Sequence, residues 1–156
     1  MNRIDSICKL ITKHGIIADI GCDHGKVSAY IVKNNLADVL IVNDISAPSL
    51  DKARQRLDKI NCRGGNLPPD IKFLCCDGAE LQKDLDLAII TGVGGKNIGE
   101  IVQAITPQNL IVSPQKNAPE LRQTLIQLGY QCVYDEVITD KKKSYILMKW
   151  SKKCQQ

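Results

Sequence analysis

IIADIGCDHG, residues 16–25, runs from apolar residues into a turn that holds Gly21 and Gly25, and a helical pattern begins directly after it. Strand, glycine turn, helix is the order in which a doubly wound α/β domain receives a nucleotide-like ligand. Asp23 and His24 stand between the two glycines, so the spacing is not the dinucleotide fingerprint G-x-G-x-x-G.

Working outward, the same alternation repeats. Residues 3–13 place Ile4, Ile7, Cys8 and Ile11 at helical spacing and predict a short helix ending near His14-Gly15. The first strand covers 16–20, and a helix over 25–35 follows with Val27, Tyr30 and Ile31 on its buried face. DVLIVN, residues 38–43, is continuously apolar, as buried parallel strands are, and Asp44 ends it. Ser46 and Pro48 open the next helix as cap and early-turn residues; Leu50, Ala53, Leu57 and Ile60 form its stripe. Residues 61–69 read as a turn-rich loop. IKFLC, 71–75, is the third strand and precedes Asp77-Gly78; DLAIIT, 86–91, is the fourth and precedes GVGGKNIGE, which leads into a helix through Ile98, Ile101 and Val102. NLIV, 109–112, is the fifth. The helix after it covers 117–128, with Leu121, Leu125 and Leu128 inward and Gly129 ending it.

The end of the chain departs from this rhythm. QCVYDEVI, 131–138, and SYILMKW, 144–150, are joined by TDKKK, too short for a parallel crossover, so they form an antiparallel hairpin. The expected architecture is α/β: one domain over residues 1–156, a seven-stranded, mostly parallel sheet with a C-terminal antiparallel hairpin, and helices on both faces.

The composition narrows the class. A chain of 156 residues fits a single domain. One Trp, four Tyr and one Phe leave Ile, Leu and Val to fill the core. No run reaches the roughly 18 apolar residues of a membrane helix, and MNRIDSICKLITKHG has no signal-peptide apolar region. The expectation is a cytoplasmic chain with no membrane partner. Seven dispersed cysteines without a C-x-x-C pair argue against zinc and against a secreted disulfide framework, so no metal is expected. Most of them are predicted to be small buried hydrophobes in a reducing compartment. A net charge of +4 permits a nucleic-acid partner without requiring one.

The acidic residues Asp19 and Asp44 point toward S-adenosylmethionine (SAM) rather than NAD. SAM carries an adenosine, a ribose diol and a charged amino-acid tail, and no phosphate. Its site needs close backbone approach at a glycine turn and a carboxylate for the ribose hydroxyls. Gly21 provides the first where strand one ends. Asp44, with Ile45 beside it, provides the second at the end of strand two. Asp77-Gly78 is placed to meet the adenine. Singly, each has a plainer reading: a turn glycine, a helix cap in competition with Ser46, an ordinary turn. Together, each after its own strand, they favour a binding site. Inside the first turn, Asp23 faces the methyl donor and could accept from a substrate amine or take its proton; His24 fits a capping or packing role equally well. GVGGK, 92–96, lacks the P-loop spacing and reads either as a cavity-lining turn, with Lys96 and Asn97 as polar contacts, or as a flexible connection.

ADIGCDHG, NDIS, CDGAEL, TGVGGKNI and KKSYILMKW, in this order and spacing, resemble the bacterial tRNA adenine-22 N1-methyltransferase family from about residue 5 to 150. The resemblance implies a class I Rossmann-like methyltransferase fold, SAM as cofactor, tRNA as partner and methylation at N1 of an adenine. Carried over residue by residue, Asp19, Gly21, Asp44, Ile45, Asp77, Gly78 and Gly92 serve SAM. Asp23 matches the family's catalytic aspartate, where generic SAM enzymes usually carry glycine. His24, Gly94, Gly95, Lys96, Asn97, Pro114 and Tyr145 fall on the acceptor side. The chain departs from the family at Val93, where methionine is usual, at Ser113-Pro114-Gln115 in place of Gln-Pro-Asn, and at Lys26, where relatives often carry an aromatic residue. Family members continue into a C-terminal helical domain, whereas this chain stops at Gln156.

The implied chemistry is direct transfer of a methyl group to a ring nitrogen, with the base extruded from the folded RNA. Lys141, Lys142 and Lys143, with Lys149, Lys152 and Lys153, either contact phosphates or form a solvated hairpin tip. Other readings stay open: a methyltransferase with a different acceptor, or a non-catalytic SAM-fold module serving as an RNA or protein adaptor. An NAD-dependent oxidoreductase is disfavoured by the glycine spacing and the terminal hairpin.

Overall fold

The computed structural model describes residues 2–60 and 69–154. The order of elements is α1 (Arg3–Lys9), β1 (His14–Ile20), α2 (Lys26–Lys33), β2 (Ala37–Asp44), α3 (Ala47–Asp58), β3 (Asp70–Cys75), a short 3-10 turn (Gly78–Glu80), β4 (Leu87–Thr91), α4 (Gly95–Ile105), β5 (Asn109–Ser113), α5 (Ala118–Gln127), β6 (Tyr130–Asp140) and β7 (Lys143–Lys152). The seven strands form one sheet in the order β3-β2-β1-β4-β5-β7-β6. β1 to β5 pair in parallel; β7 pairs antiparallel with both β5 and β6. The expected seven-stranded α/β sheet with its terminal hairpin is therefore present.

Successive strand residues point to opposite faces, and the core divides accordingly. Ile17, Leu40, Ile89, Ile111 and Leu147 face one layer, which is covered by Ile7 and Ile11, by Val27 and Ile31 of α2, and by Leu50, Ala53 and Leu57 of α3. Their chain neighbours Ala18, Ile41, Ile90, Val112 and Met148 face the other, under Ile98, Val102 and Ile105 of α4 and Leu121 and Leu125 of α5. Runs without alternation, such as DVLIVN, follow from burial on both faces.

β1 is flanked by β2 on one side and β4 on the other, so the chain leaves β1 in opposite directions before and after β3. This is the topological switch point, and a crevice opens beyond the strand ends there. Gly21 follows β1 with φ +70° and Gly92 follows β4 with φ +80°. A side chain at Gly21 would stand 3.0 Å from the Thr91 carbonyl oxygen, so the two turns approach as closely as glycine allows.

Several boundaries and surfaces differ from the sequence reading. α1 ends at Lys9, not near residue 13, because β1 already begins at His14, whose N–H donates to the Leu36 carbonyl. Ile11 still reaches the core from the connecting segment. Tyr30 is only half-buried. The five-residue hairpin connection contracts to the two residues Lys141 and Lys142, both at positive φ (50° and 67°), since Asp140 pairs with Lys143. Of the described cysteines, Cys8 and Cys22 are buried but Cys75, Cys132 and Cys154 are exposed, so most do not serve as core residues. Cys75 closes one edge strand and Cys132 lies on the other, β6, at the two margins of the sheet. The loop expected over 61–69 lies, apart from Pro69, outside the described residues, as does Cys62.

Candidate active site

A cavity of about 620 Å³ occupies the switch-point crevice. That volume falls within the roughly 300–1,000 Å³ usual for small-molecule sites. Gly21, Asp23, Asp44, Ile45, Asp77, Gly78, Gly92 and Asn97 all line it, although they come from four separate stretches of chain.

Asp44 organises the first wall. Its Oδ2 accepts from the Asp23 N–H at 3.0 Å and its Oδ1 from the Ser46 N–H at 2.9 Å. The carboxylate thus joins the turn after β1 to the start of α3, and each oxygen keeps lone-pair capacity toward the cavity. Ser46 is the N-cap of α3, its hydroxyl accepting from the Ser49 N–H, so capping does not depend on Asp44. Ile45 is 77% exposed yet lines the cavity, a large apolar surface facing the space beside a carboxylate. On the far wall, Asp77 Oδ1 accepts from the Ala79 N–H at 2.9 Å and caps the 3-10 turn. A side chain at Gly78 would stand 2.7 Å from Ile20 Cγ2, so only glycine lets that turn settle onto β1.

Asp23 holds a left-handed backbone, φ 53°, without being glycine. Such a conformation persists only where its surroundings impose it, and the Asp44 hydrogen bond to its N–H is the imposing contact. The result is a carboxylate whose side chain is 81% exposed, projected into the cavity mouth 3.6 Å from His24 Nε2. Behind the turn, Cys22 is a buried thiol. Burial pushes its pKa well up, and the nearby Asp19, Asp44 and Asp23 add to the rise, so it stays protonated.

Asp19 does not reach the cavity. It is fully buried and accepts from Ser28 Oγ at 2.6 Å, which fastens β1 to α2 beneath the turn. Burial raises its pKa to about 6, against the lowering effect of the Ser28 hydrogen bonds.

Residues that sequence reading passed over complete the walls. Asn43, buried at the end of β2, accepts through its carbonyl from the N–H groups of Gly21 and Cys22. Its side-chain amide donates to the carbonyls of Leu74 and Cys76 at 2.9 and 3.0 Å. One residue, through its main-chain carbonyl and its side-chain amide, thereby ties three strand ends around the crevice. An asparagine closing an apolar strand was the available signal. Glu100 and Gln115 also line the cavity, as does Arg3 from the distant α1; Gln115 lies in the Ser113-Pro114-Gln115 stretch and Glu100 ends GVGGKNIGE, but the sequence reading assigns neither residue to the site.

A family model described as "Methyltransferase domain" matches residues 1–148. The chain belongs to this methyltransferase-domain family. Among curated proteins, the tRNA (adenine(22)-N(1))-methyltransferase of Bacillus subtilis is 26% identical over 150 residues, covering 92% of this chain and 61% of that enzyme. The chain thus spans less than two thirds of the Bacillus enzyme's length. Among solved structures, M. capricolum TrmK in complex with S-adenosyl-homocysteine superposes with a TM-score of 0.82 at 26% identity, over 96% of this chain and 67% of that one. The B. subtilis m1A22 tRNA methyltransferase TrmK superposes with a TM-score of 0.81 at 25% identity, over 97% and 65%.

In this methyltransferase domain the remaining acceptor-side residues disperse. Gly95 packs against the carbonyl of Asn117 and Gly94 against the Lys116 side chain, which explains both glycines by close contact with the start of α5. Gly95 and Lys96 border a separate depression over α4 and α5. Pro114 is buried, and the next residue, Gln115, faces the cavity in its place. Tyr145 lies on β7 under the guanidinium of Arg3. His24 lines a second recess of about 640 Å³, with Lys33, Lys52, Gln55, Arg56 and Lys59 of α2 and α3 and the segment after it. Arg56 Nε donates to the His24 carbonyl at 2.9 Å and anchors this basic recess to the turn that carries Asp23. Of the hairpin lysines, Lys141 to Lys143 are exposed, whereas Lys149 donates from Nζ to the Leu10 carbonyl at 3.0 Å and has a structural partner.

Proposed function

We propose that the chain is a SAM-dependent methyltransferase acting at N1 of an adenine in tRNA. The observation that carries this reading is the pairing of Asp44 with Asp23. A single carboxylate placed for a ribose diol also fixes the backbone of a second, exposed carboxylate at the cavity mouth. The chain's residues fit SAM. Gly21 and Gly92 leave room for close approach, Asp44 has free lone pairs for the ribose hydroxyls, and Ile45 offers an apolar platform beside Asp77-Gly78 for the adenine. The names of the Bacillus and M. capricolum relatives support both cofactor and acceptor.

When bound, SAM supplies a methyl group already activated on a sulfonium, so the protein's task is alignment, which can contribute roughly 7–11 kcal/mol in favourable cases. Asp23 accepts a hydrogen bond from the exocyclic amine of the target adenine and thereby raises electron density at N1. The same carboxylate then faces the positive charge that the base acquires. Asn97 and Gln115 hold the base edge from the opposite wall. The basic recess beyond His24 takes the RNA backbone, so the base enters the cavity past Asp23 with its phosphates on the recess side. A tRNA acceptor places the reaction in the cytoplasm; among the described residues no helix is long and apolar enough to cross a membrane.

Calorimetric titration with SAM and mass spectrometry of tRNA nucleosides test the reading. The wild-type chain binds SAM and yields N1-methyladenosine. Asp44→Asn weakens SAM binding, while Asp23→Asn keeps it and loses transfer by about 10²-fold or more, the usual range for a group that stabilises developing charge. SAM binding with no methylated nucleoside from any tRNA would replace this reading with that of a non-catalytic adaptor.

A further inference from the structure

Among the described residues lining the cavity, Arg3 is the lone cation, against four carboxylates, Asp23, Asp44, Asp77 and Glu100. Yet it pairs with none of them: the ion pairs among the described residues are His24 with Asp23 and Arg122 with Asp135. The carboxylate nearest in contact, Asp140, is engaged by the Arg3 backbone, whose N–H donates to Oδ2 at 3.0 Å. The guanidinium is held by stacking, its carbon 5.0 Å from the centre of the Tyr145 ring. Its Nε is buried with no hydrogen-bond partner. A buried charged donor left without an acceptor is unfavourable, and ring stacking fixes the plane of the guanidinium without occupying its donors.

We propose that Arg3, positioned by Tyr145, is the anion-binding residue of the cavity, taking a carboxylate or phosphate oxygen of the bound reactants. This rests on the function proposed above, which offers two sources of that chemistry. One is the α-carboxylate at the amino-acid end of SAM; the other is a phosphate next to the target adenosine. In a cavity whose other charged lining residues, among those described, are acidic, Arg3 is the cationic partner for either group. The arrangement assigns roles that the local sequence does not: the first residue of α1 and a tyrosine of the terminal hairpin, far apart in the chain, form one recognition element.

The test compares wild type, Arg3→Gln and Arg3→Lys in three titrations. If the carboxylate is the ligand, Arg3→Gln binds SAM about ten- to a hundredfold more weakly, but binds 5′-methylthioadenosine, which lacks the amino-acid end, as tightly as wild type. If the phosphate is the ligand, SAM affinity is unchanged, KM for tRNA rises, and the slope of log affinity against log salt flattens by about one. Arg3→Lys restores part of the loss in either case. In a third titration, the Arg3 Nε–H resonance of the wild-type protein shifts on addition of inorganic phosphate, a readout independent of activity. Arg3→Gln gives up the stacking on Tyr145 but also the unpaired buried Nε, so its melting temperature stays close to that of wild type, which separates binding from folding. Wild-type affinity for SAM and tRNA in Arg3→Gln, or a resonance that phosphate does not move, overturns the proposal. A wild-type protein inert toward SAM and tRNA, whose Arg3 signal still responds to phosphate, instead overturns the function and leaves the anion site standing.

Discussion

Two aspartates four positions apart in the sequence, Asp19 and Asp23, behave in opposite ways because of where the turn between them leads. Asp23 is in water and Asp19 is sealed under α2. The buried carboxyl holds its proton up to about pH 6, whereas an unfolded aspartate releases it near 3.8. Asp19 therefore favours the folded state below pH 3.8, and this contribution disappears as the pH rises through about 6. A shift of this size corresponds to about 3 kcal/mol at most. Urea denaturation at pH 4.5 and pH 7.5 reads it out: wild type loses stability across that interval relative to Asp19→Asn, which carries no charge to bury. Equal pH profiles in the two proteins would mean that Asp19 titrates normally. Asp23, Asp44 and Asp77-Gly78 were legible in the sequence because each directly follows a recognisable strand. Arg3, Glu100 and Gln115 were not, because the patterns around them report helices and a strand end, not a cavity, and only the closed fold brings them there. Asn43 lies between: an amide ending an apolar strand was visible, but its four partners, Gly21, Cys22, Leu74 and Cys76, belong to other segments.

At the scale of elements, hydrophobic runs found all seven strands, and boundaries moved by one to a few residues where backbone pairing, not side-chain pattern, decides them. The hairpin is the clearest case. TDKKK, 139–143, reads as a loop, but strand pairing continues to Asp140 and Lys143 and forces Lys141 and Lys142 into a two-residue turn with both φ positive. Such turns favour Asn-Gly, since other L-residues meet steric resistance there. The double replacement Lys141→Asn, Lys142→Gly should raise stability by about 1 kcal/mol, seen as a higher melting temperature. If transfer to tRNA is unchanged in that variant, the tip lysines are solvated and not RNA contacts; a marked rise in KM would assign them to the RNA. Cysteine usage shows the opposite limit. Small apolar character predicts burial, but Cys75 and Cys132 sit on edge strands, and edge position was not readable from the residue type.

For the molecule as a whole, reversal of strand order at β1 and β4 places the cavity, and the helices of one layer place the basic recess beside it. Charge reversal at Lys52 and Lys59 together should lower tRNA affinity and flatten its salt dependence by about two, one for each phosphate contact removed. SAM affinity should stay as in wild type, since neither residue lines the cavity. Unaltered salt dependence would move the RNA path elsewhere. The sheet order carries one more consequence, for synthesis. β7 follows β6 in the chain but lies between β5 and β6. When β6 leaves the ribosome it has no strand to join, because its only neighbour in the sheet has not yet been made. Residues 130–140 must wait until β7 is translated, when both strands add to β5 together. Tyr145 arrives in that same step, so the wall that holds Arg3 is among the last parts of the nascent protein to form, well after the glycine turn at residues 21–25 has emerged.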